Sequence, residues 1–153
     1  MNAMDFDAKQ EFEKVMTAIG EALAVFDYRR SGNLFYRYYE GKKIACAIEV
    51  QRSMWNSAES CSFTMNVACI TVNDLQIFPR DRLTVKDIRK AFYIPKLCQR
   101  AGVICYGYDA WYELSLKNQM GTDAYIQQYI LPSLAKIQYY LNALLEKRKI
   151  LVQ

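Results

Sequence analysis

The stretch Ile44-Ala45-Cys46-Ala47-Ile48-Glu49-Val50-Gln51-Arg52 decides the fold, because large apolar residues alternate in it with small or polar ones. Alternation with a period of two is typical of a β-strand that buries one face. Residues 62–72 alternate in the same way, and their large apolar residues are Phe63, Met65, Val67 and Cys69. The two stretches predict the centre of an antiparallel sheet with one apolar face.

A further strand precedes them over residues 34–39, and the turn Glu40-Gly41-Lys42 joins it to the first stretch. We expect a three-residue loop with Gly41 in the left-handed conformation, which is a common hairpin connection. In that register Arg37 lies on the face opposite Ile44. A two-residue Glu40-Gly41 turn is the alternative, and it places Arg37 on the apolar face.

Apolar residues at helical spacing predict a helix at each end of the chain. The first begins after Asp7, its expected cap, and ends near Phe26. The last covers residues 123–147, and Pro132 falls inside it. Because proline lacks a backbone donor and clashes with the preceding turn, we expect a kink there.

The segment between the strands and the last helix is irregular. Thr84 with Asp87 predicts the start of a short helix that ends at Ala91, and residues 95–102 suit a second one. Strands over residues 103–106 and 110–115 complete the sheet. The whole pattern predicts an α+β fold in a single domain over residues 1–153. Its antiparallel sheet of four to five strands is flanked by an N-terminal helix and a long, Pro-kinked C-terminal helix.

Composition limits the classes of protein to which the chain can belong. It has 153 residues, 52% of them hydrophobic and 24% charged, which is enough for a core without disulfides or metals. The net charge of +4 is mild and the basic residues form short clusters, so nucleic acid is a disfavoured partner. No apolar run approaches the roughly 20 residues of a membrane span, so we expect no membrane partner.

The sequence contains no histidine. This excludes Ser-His-Asp and Cys-His catalytic arrangements within the chain, together with the usual ligands of catalytic zinc. The five cysteines have no C-x-x-C spacing, and we expect them to be reduced in a cytoplasmic setting. We predict no metal and no cofactor. The composition leans away from an enzyme, although carboxylate, lysine, tyrosine or cysteine chemistry stays open.

Four stretches carry a family resemblance. They are Asn33-Leu34-Phe35-Tyr36-Arg37, Val50-Gln51-Arg52-Ser53, Phe63-Thr64-Met65-Asn66-Val67, and Lys96-Leu97-Cys98-Gln99-Arg100 leading to Asp109-Ala110-Trp111-Tyr112-Glu113-Leu114. In this order the chain resembles the uncharacterised bacterial family catalogued as domain of unknown function 4304. Gln99 stands where such proteins often carry histidine, and Tyr112 stands where a second tryptophan is frequent. The resemblance implies a fold but no activity.

The sheet face opposite the apolar one holds the candidate ligand-binding residues, which are Arg37, Glu49, Gln51 and Asn66. Small alanines flanked by polar groups suit the floor of a shallow groove for a polar or anionic ligand. Asparagine is depleted from strands, so Asn66 in particular needs an explanation. The alternative is that a helix docks over the alanines and that Gln51 and Asn66 satisfy backbone groups there.

Three further residues are candidates for contact with a protein partner. Trp55, flanked by Met54 in a polar loop, suits an interface, and Trp111 is the third candidate. The alternative for Trp55 is that it folds back over the sheet. The patterns together favour a non-enzymatic binding or protein-interaction module. A small-molecule binder or small enzyme using the polar face, and a weak RNA binder, are the alternatives.

Overall fold

The computed structural model describes residues 6–54, 56–117 and 120–152. Its centre is one antiparallel sheet of six strands, in the order β1-β2-β3-β4-β5, and β6 pairs with β4 beside β5. The strands are β1 Arg29–Ser31, β2 Leu34–Tyr39, β3 Ile44–Arg52, β4 Ser60–Thr71, β5 Cys98–Arg100 and β6 Tyr112–Ser115. The predicted α+β fold is confirmed, and the pattern did not indicate the two short strands β1 and β5.

Five α-helices surround this sheet in the described residues. They are α1 Ala8–Ala24, α2 Val85–Ala91, α3 Ala101–Tyr106, α4 Thr122–Tyr125 and α5 Leu131–Leu151. A carboxylate oxygen of Asp7 accepts a hydrogen bond from the backbone N–H of Lys9 at 3.0 Å, so the predicted cap of α1 is confirmed. Thr84 and Asp87 form the capping box of α2, also as predicted. None of these helices is long and apolar enough to cross a membrane.

The C-terminal helix bends where Pro132 interrupts it. A π-helical turn, Ile126–Ile130, separates α4 from α5, and the backbone N–H of Leu131 donates to the carbonyl of Ile126. Proline cannot donate to the residue four positions earlier and its ring crowds that carbonyl. The wider turn before Pro132 accommodates both effects, so the predicted kink is confirmed.

The apolar face of the sheet forms the main core. Ile48 of β3 faces Val67 of β4, and both are buried under α1, α3 and α5 together with the other large residues of these strands. Phe63 stacks on Tyr112 from β6 and meets the ring of Phe12 edge-on. This layer is the one that the alternation in β3 and β4 predicts.

The hairpin between β2 and β3 differs from the expected one. Tyr39 pairs with Ile44, so Glu40–Lys43 is a four-residue loop in which φ is 53° at Glu40, 62° at Gly41 and 67° at Lys42. The predicted three-residue loop is therefore wrong, and Arg37 pairs with Cys46 on the core side of the sheet. Three successive left-handed residues close a loop that is one residue longer than expected. The pairing register therefore shifts by one residue, and every residue of β2 lies on the opposite face from the one predicted.

The segment before β6 also differs from its prediction. Residues 103–106 belong to helix α3, not to a strand, and residues 98–100 form β5, not part of a helix. Gly102 lies within α3, where a Cβ atom would come within 2.4 Å of the backbone nitrogen of Ala110. Gly107, with φ of 83°, ends the helix instead. A four-residue apolar run suits a strand and a short helix equally, so periodicity does not distinguish them.

Candidate ligand-binding groove

A short helix covers one half of the second sheet face. The alanines on this face, Ala45, Ala47 and Ala68, are fully buried beneath Ile88 and Ala91 of α2 and the neighbouring residues Ile77 and Leu83. A helix does dock over the alanines, as the alternative prediction held, but this helix is α2 and not a terminal one. Helix α2 ends at Ala91, and the polar side chains of Glu49, Gln51 and Asn66 lie beyond the alanines on the same face.

An amide group connects the polar side chains beyond the alanines. Asn66 faces Glu49 across the β3–β4 ladder, and Gln51 is the next residue of β3 on the same face. Nδ2 of Asn66 donates to Oε1 of Gln51 at 3.0 Å and to Oε1 of Glu49 at 3.4 Å. Asn66 is only 8% exposed, so these two bonds account for an asparagine inside a strand. Both of its N–H groups face acceptors, which fixes the three side chains together.

The walls of this groove come from elements distant in the sequence. Arg89 of α2 donates from Nη2 to the carbonyl of Ser31 at 2.7 Å and from Nη1 to Oδ1 of Asn33 at 3.1 Å. Asn33 in turn donates from Nδ2 to the carbonyl of Val50 at 2.9 Å. These bonds fasten α2 to the connection between β1 and β2 and, through Asn33, to β3. The space between them has a volume of about 650 Å³, and it is lined by Phe12, Asn33, Glu49, Val50, Gln51, Arg52, Asn66, Arg89, Phe92 and Tyr93.

Glu49 is the ionisable group on the floor of the groove. Burial raises the pKa of its carboxyl, while the hydrogen bond from Asn66 and the positive charge of Arg89 oppose that rise. Within the described residues Glu49 forms no ion pair. A partly buried carboxylate of this kind gains from any donor or cation that enters the groove.

Two polar atoms lie buried on the same face beyond Asn66. Arg100 of β5 faces Asn66, and its guanidinium carbon lies 5.2 Å from the ring centroid of Trp111. Nη1 of Arg100 and Oγ1 of Thr64 have no hydrogen-bond partner in the described part of the chain. The polar face therefore continues from Glu49 across Asn66 to Arg100, and Trp111, 38% exposed, stands at its far edge.

The structure brings together three of the four predicted ligand-binding residues. Glu49, Gln51 and Asn66 share the groove, but Arg37 does not join them, because the hairpin register turns it to the other face. Its Nη1 donates instead to the carbonyl of Phe26 at 2.9 Å, just past the end of α1, where a positive charge is favourable. The predicted grouping of Arg37 with Gln51 and Asn66 on one face is thus wrong.

The predicted interaction residues have different outcomes. Met54 is 84% exposed in the turn that follows β3, two positions after the groove residue Arg52. Trp111 lies on the polar face, and Trp55 lies outside the described residues. Their contact with a protein partner stays a prediction.

Sequence reasoning missed Asn33, Arg89 and the aromatic residues Phe92 and Tyr93. Asn33 and Arg89 are 56 positions apart, and their contact depends on where α2 docks. The one available signal was the capping box at Thr84, which fixes the start of α2 and hence the turn that carries Arg89. No periodicity links that turn to the β1–β2 hairpin.

The chemistry of the groove is that of recognition by hydrogen bonds. Amide, carboxylate and guanidinium groups meet there, and aromatic rings form one side. Within the described ranges no three cysteine, aspartate or glutamate side chains lie close enough together to hold a metal ion. Burial raises the pKa of the nearby thiol of Cys98, which lowers its reactivity as a nucleophile.

Comparisons with protein-family models, with curated proteins and with solved structures each find no match to this chain.

Proposed function

We propose that this protein is a non-enzymatic binding protein that holds a small polar ligand in the groove beyond α2. The observation that carries the proposal is the arrangement of Glu49, Asn66 and Gln51 on the floor of a cavity of about 650 Å³. Their mutual hydrogen bonds hold the groups in place before a ligand arrives. Prior positioning of this kind reduces the entropy that is lost on binding.

The available atoms define the class of ligand. Glu49 offers a carboxylate oxygen without an ion pair, and Gln51 offers an amide N–H that has no partner among the described residues. A ligand that carries an amine or amide donor next to a hydrogen-bond acceptor satisfies both. Phe92 and Tyr93 favour a flat or apolar part beside that polar group. A free amino acid amide has this chemistry, because its amino group lies next to its amide oxygen.

The five free cysteines support a reducing compartment for this binding protein. With the resemblance to a bacterial family, we place it in a bacterial cytoplasm.

The test is a thermal-shift screen of the wild-type protein against amines, amino acid amides and neutral amides, followed by calorimetric titration of the compounds that stabilise it. Glu49→Gln and Asn66→Ala are each expected to weaken binding about tenfold to a hundredfold, which corresponds to one lost charge-assisted hydrogen bond. Glu13→Gln is the matched control, because Glu13 is exposed on α1 and outside the groove. Equal affinity in all variants, or a ligand that protects a different surface from hydrogen exchange, would exclude the groove.

A further inference from the structure

Two cysteine side chains meet inside the main core. Cys46 of β3 and Cys69 of β4 occupy facing positions in the central ladder, and their Sγ atoms are 3.7 Å apart. Both are free thiols, 1% and 2% exposed. Neither residue contributes to the groove, which lies on the other face of the sheet. The pair is therefore independent of the proposed ligand site.

The ladder geometry at this pair is compatible with a disulfide. The register that pairs Cys46 with Cys69 also pairs Ser53 with Ser62, an odd number of residues further along the chain. The backbone N–H of Ser53 donates to the carbonyl of Ser62, so Ser53 and Ser62 form a hydrogen-bonded pair. Hydrogen-bonded and non-hydrogen-bonded pairs alternate along an antiparallel ladder, so Cys46 and Cys69 form a non-hydrogen-bonded pair. Such pairs have Cα atoms about 4.5 Å apart, within the range of roughly 4.4–6.8 Å that disulfides span. Rotation of the two side chains can close the bond without moving the strands.

The surroundings of the pair are polar for a core position. Cys46 donates its thiol hydrogen toward Cys69, and this bond raises the pKa of Cys46 and lowers that of Cys69. The positive charge of Arg148 also lowers the pKa of Cys69. Arg148 Nε is buried without a hydrogen-bond partner in the described part of the chain. Burial raises the pKa of both thiols, and a positive charge opposes that rise at each of them, Arg37 at Cys46 and Arg148 at Cys69. We take Cys69 as the attacking thiol because it accepts the hydrogen bond from Cys46.

Access of a small oxidant to the buried pair requires local opening, and the end of α5 is the element that we expect to open. Arg148 belongs to the last turn of this helix, and Nδ2 of Asn73 reaches the carbonyl of Leu151 only at the long distance of 3.5 Å. Helix ends open locally at a lower free energy than the sheet centre does. Because the charge of Arg148 acts on Cys69, opening of this turn is the step that we expect to admit an oxidant to the pair.

We propose that Cys46 and Cys69 are a reversible oxidation site, at which a hydroperoxide converts the two thiols into a cross-strand disulfide. The Cys69 thiolate attacks the terminal peroxide oxygen, the O–O bond breaks, and the leaving alkoxide or hydroxide takes a proton. Cys69 is then a sulfenic acid. Cys46 attacks its sulfur, the S–O bond breaks, and the expelled hydroxide leaves as water with the proton of Cys46. Two thiols are oxidised by two electrons and one peroxide is reduced to an alcohol or water. A dithiol reductant reverses the change.

The experiment uses the folded, reduced protein with hydrogen peroxide as the probe. After exposure the protein is unfolded in a thiol-alkylating reagent, digested and analysed by mass spectrometry without reduction. We expect one linked peptide pair that joins Cys46 to Cys69, absent after treatment with dithiothreitol. Cys61→Ala is the matched control, since Cys61 is a buried thiol with no thiol neighbour, and it is expected to keep the link.

Two single variants test the order of the steps. Cys46→Ala is expected to stop at a sulfenic acid on Cys69, which a dimedone probe labels, while Cys69→Ala is expected to leave Cys46 unlabelled. Oxidation at the more exposed Cys98 alone, with Cys46 and Cys69 both alkylated afterwards, would overturn the proposal. A Cys46–Cys69 link that appears only when peroxide is added in denaturant would overturn it as well.

Discussion

Arg80 and Asp87 form a two-pronged ion pair, in which Nη1 and Nη2 of the guanidinium donate to the two carboxylate oxygens at 2.8 and 2.9 Å. Asp87 is buried, and its carboxylate also accepts from the backbone N–H of Thr84 at 2.9 Å. The pair thus fastens the loop before α2 to the first turn of that helix. Since α2 carries one wall of the groove, the position of the groove depends on this contact.

The ion pair makes stability depend on pH. Arg80 holds the pKa of Asp87 well below its usual range, and the bonds from Thr84 act in the same direction. An aspartate in the unfolded chain titrates near about 3.9, so this stabilisation is complete above that pH and is lost as the pH falls toward the folded pKa. We expect Asp87→Asn to lower the free energy of unfolding by about 2 kcal/mol at pH 7 and by much less at pH 2.

Urea denaturation at both pH values measures the difference. Asp27→Asn is the control, because the side chain of Asp27 is exposed and asparagine tolerates the left-handed backbone conformation of this position. An equal loss at pH 7 and pH 2 for Asp87→Asn would contradict the assignment of the effect to the carboxylate charge.

Gly102 is expected to tolerate no side chain. A Cβ at this position would lie 2.4 Å from the nitrogen and 2.5 Å from the carbonyl oxygen of Ala110, so the backbone itself must shift. We expect Gly102→Ala to cost about 3 kcal/mol or more in unfolding free energy. In Gly20→Ala the new Cβ meets a ring carbon of Phe35 at an ordinary 3.4 Å, and we expect no loss or a gain of up to about 1 kcal/mol. Thermal unfolding followed by circular dichroism compares the two.

The hydroxyl of Tyr112 fixes β6 to the kinked C-terminal helix. It donates to Oγ of Ser133 at 2.7 Å, and both residues are buried. Tyr112→Phe and Ser133→Ala are each expected to cost about 1–2 kcal/mol, because each leaves a buried polar atom unsatisfied. The double variant should cost less than the sum of the two. Tyr139→Phe, at a residue 81% exposed, is the control and should be neutral. Strict additivity in the double variant would show that the bond contributes nothing.

Arg89 is expected to tune the acidity of Glu49. Its positive charge opposes the rise that burial causes in the pKa of the Glu49 carboxyl. Arg89→Met removes that charge, so the pKa should rise further, and the loss of the bonds to Ser31 and Asn33 should lower stability by about 1 kcal/mol. An NMR titration of the side-chain carboxyl carbon reads the pKa directly. Lys90→Met removes the neighbouring exposed charge and should leave the titration midpoint unchanged. A lower or unchanged pKa in Arg89→Met would exclude this electrostatic effect.

The faces of β3 and β4 were predictable, because large apolar residues alternate with small or polar ones over residues 44–50 and 63–69, so that the large residues share one face. The same alternation placed Glu49, Gln51 and Asn66 together. The face of Arg37 was not predictable, because it depends on a loop in which Glu40 and Lys42 take left-handed conformations that side chains rarely adopt. One residue more in that loop moved Arg37 from the groove to the end of α1.

The walls of the groove were beyond prediction for a different reason. Local patterns identify the start of α2 at Thr84, but they do not give the part of the sheet on which it docks. That choice follows from burial of the alanines under Ile88, a contact between segments about forty positions apart.

The length of α2 has an evolutionary consequence. The helix has seven residues, and Phe92 and Tyr93 at the groove follow directly after it. One more turn, roughly 5.4 Å of helix, would carry backbone across the space above Asn66. A short insertion after Ala91 would then seal the sheet, and a deletion would widen the opening. The dimensions of the proposed ligand site therefore depend on insertions and deletions at the end of one helix, without any change in Glu49, Gln51 or Asn66.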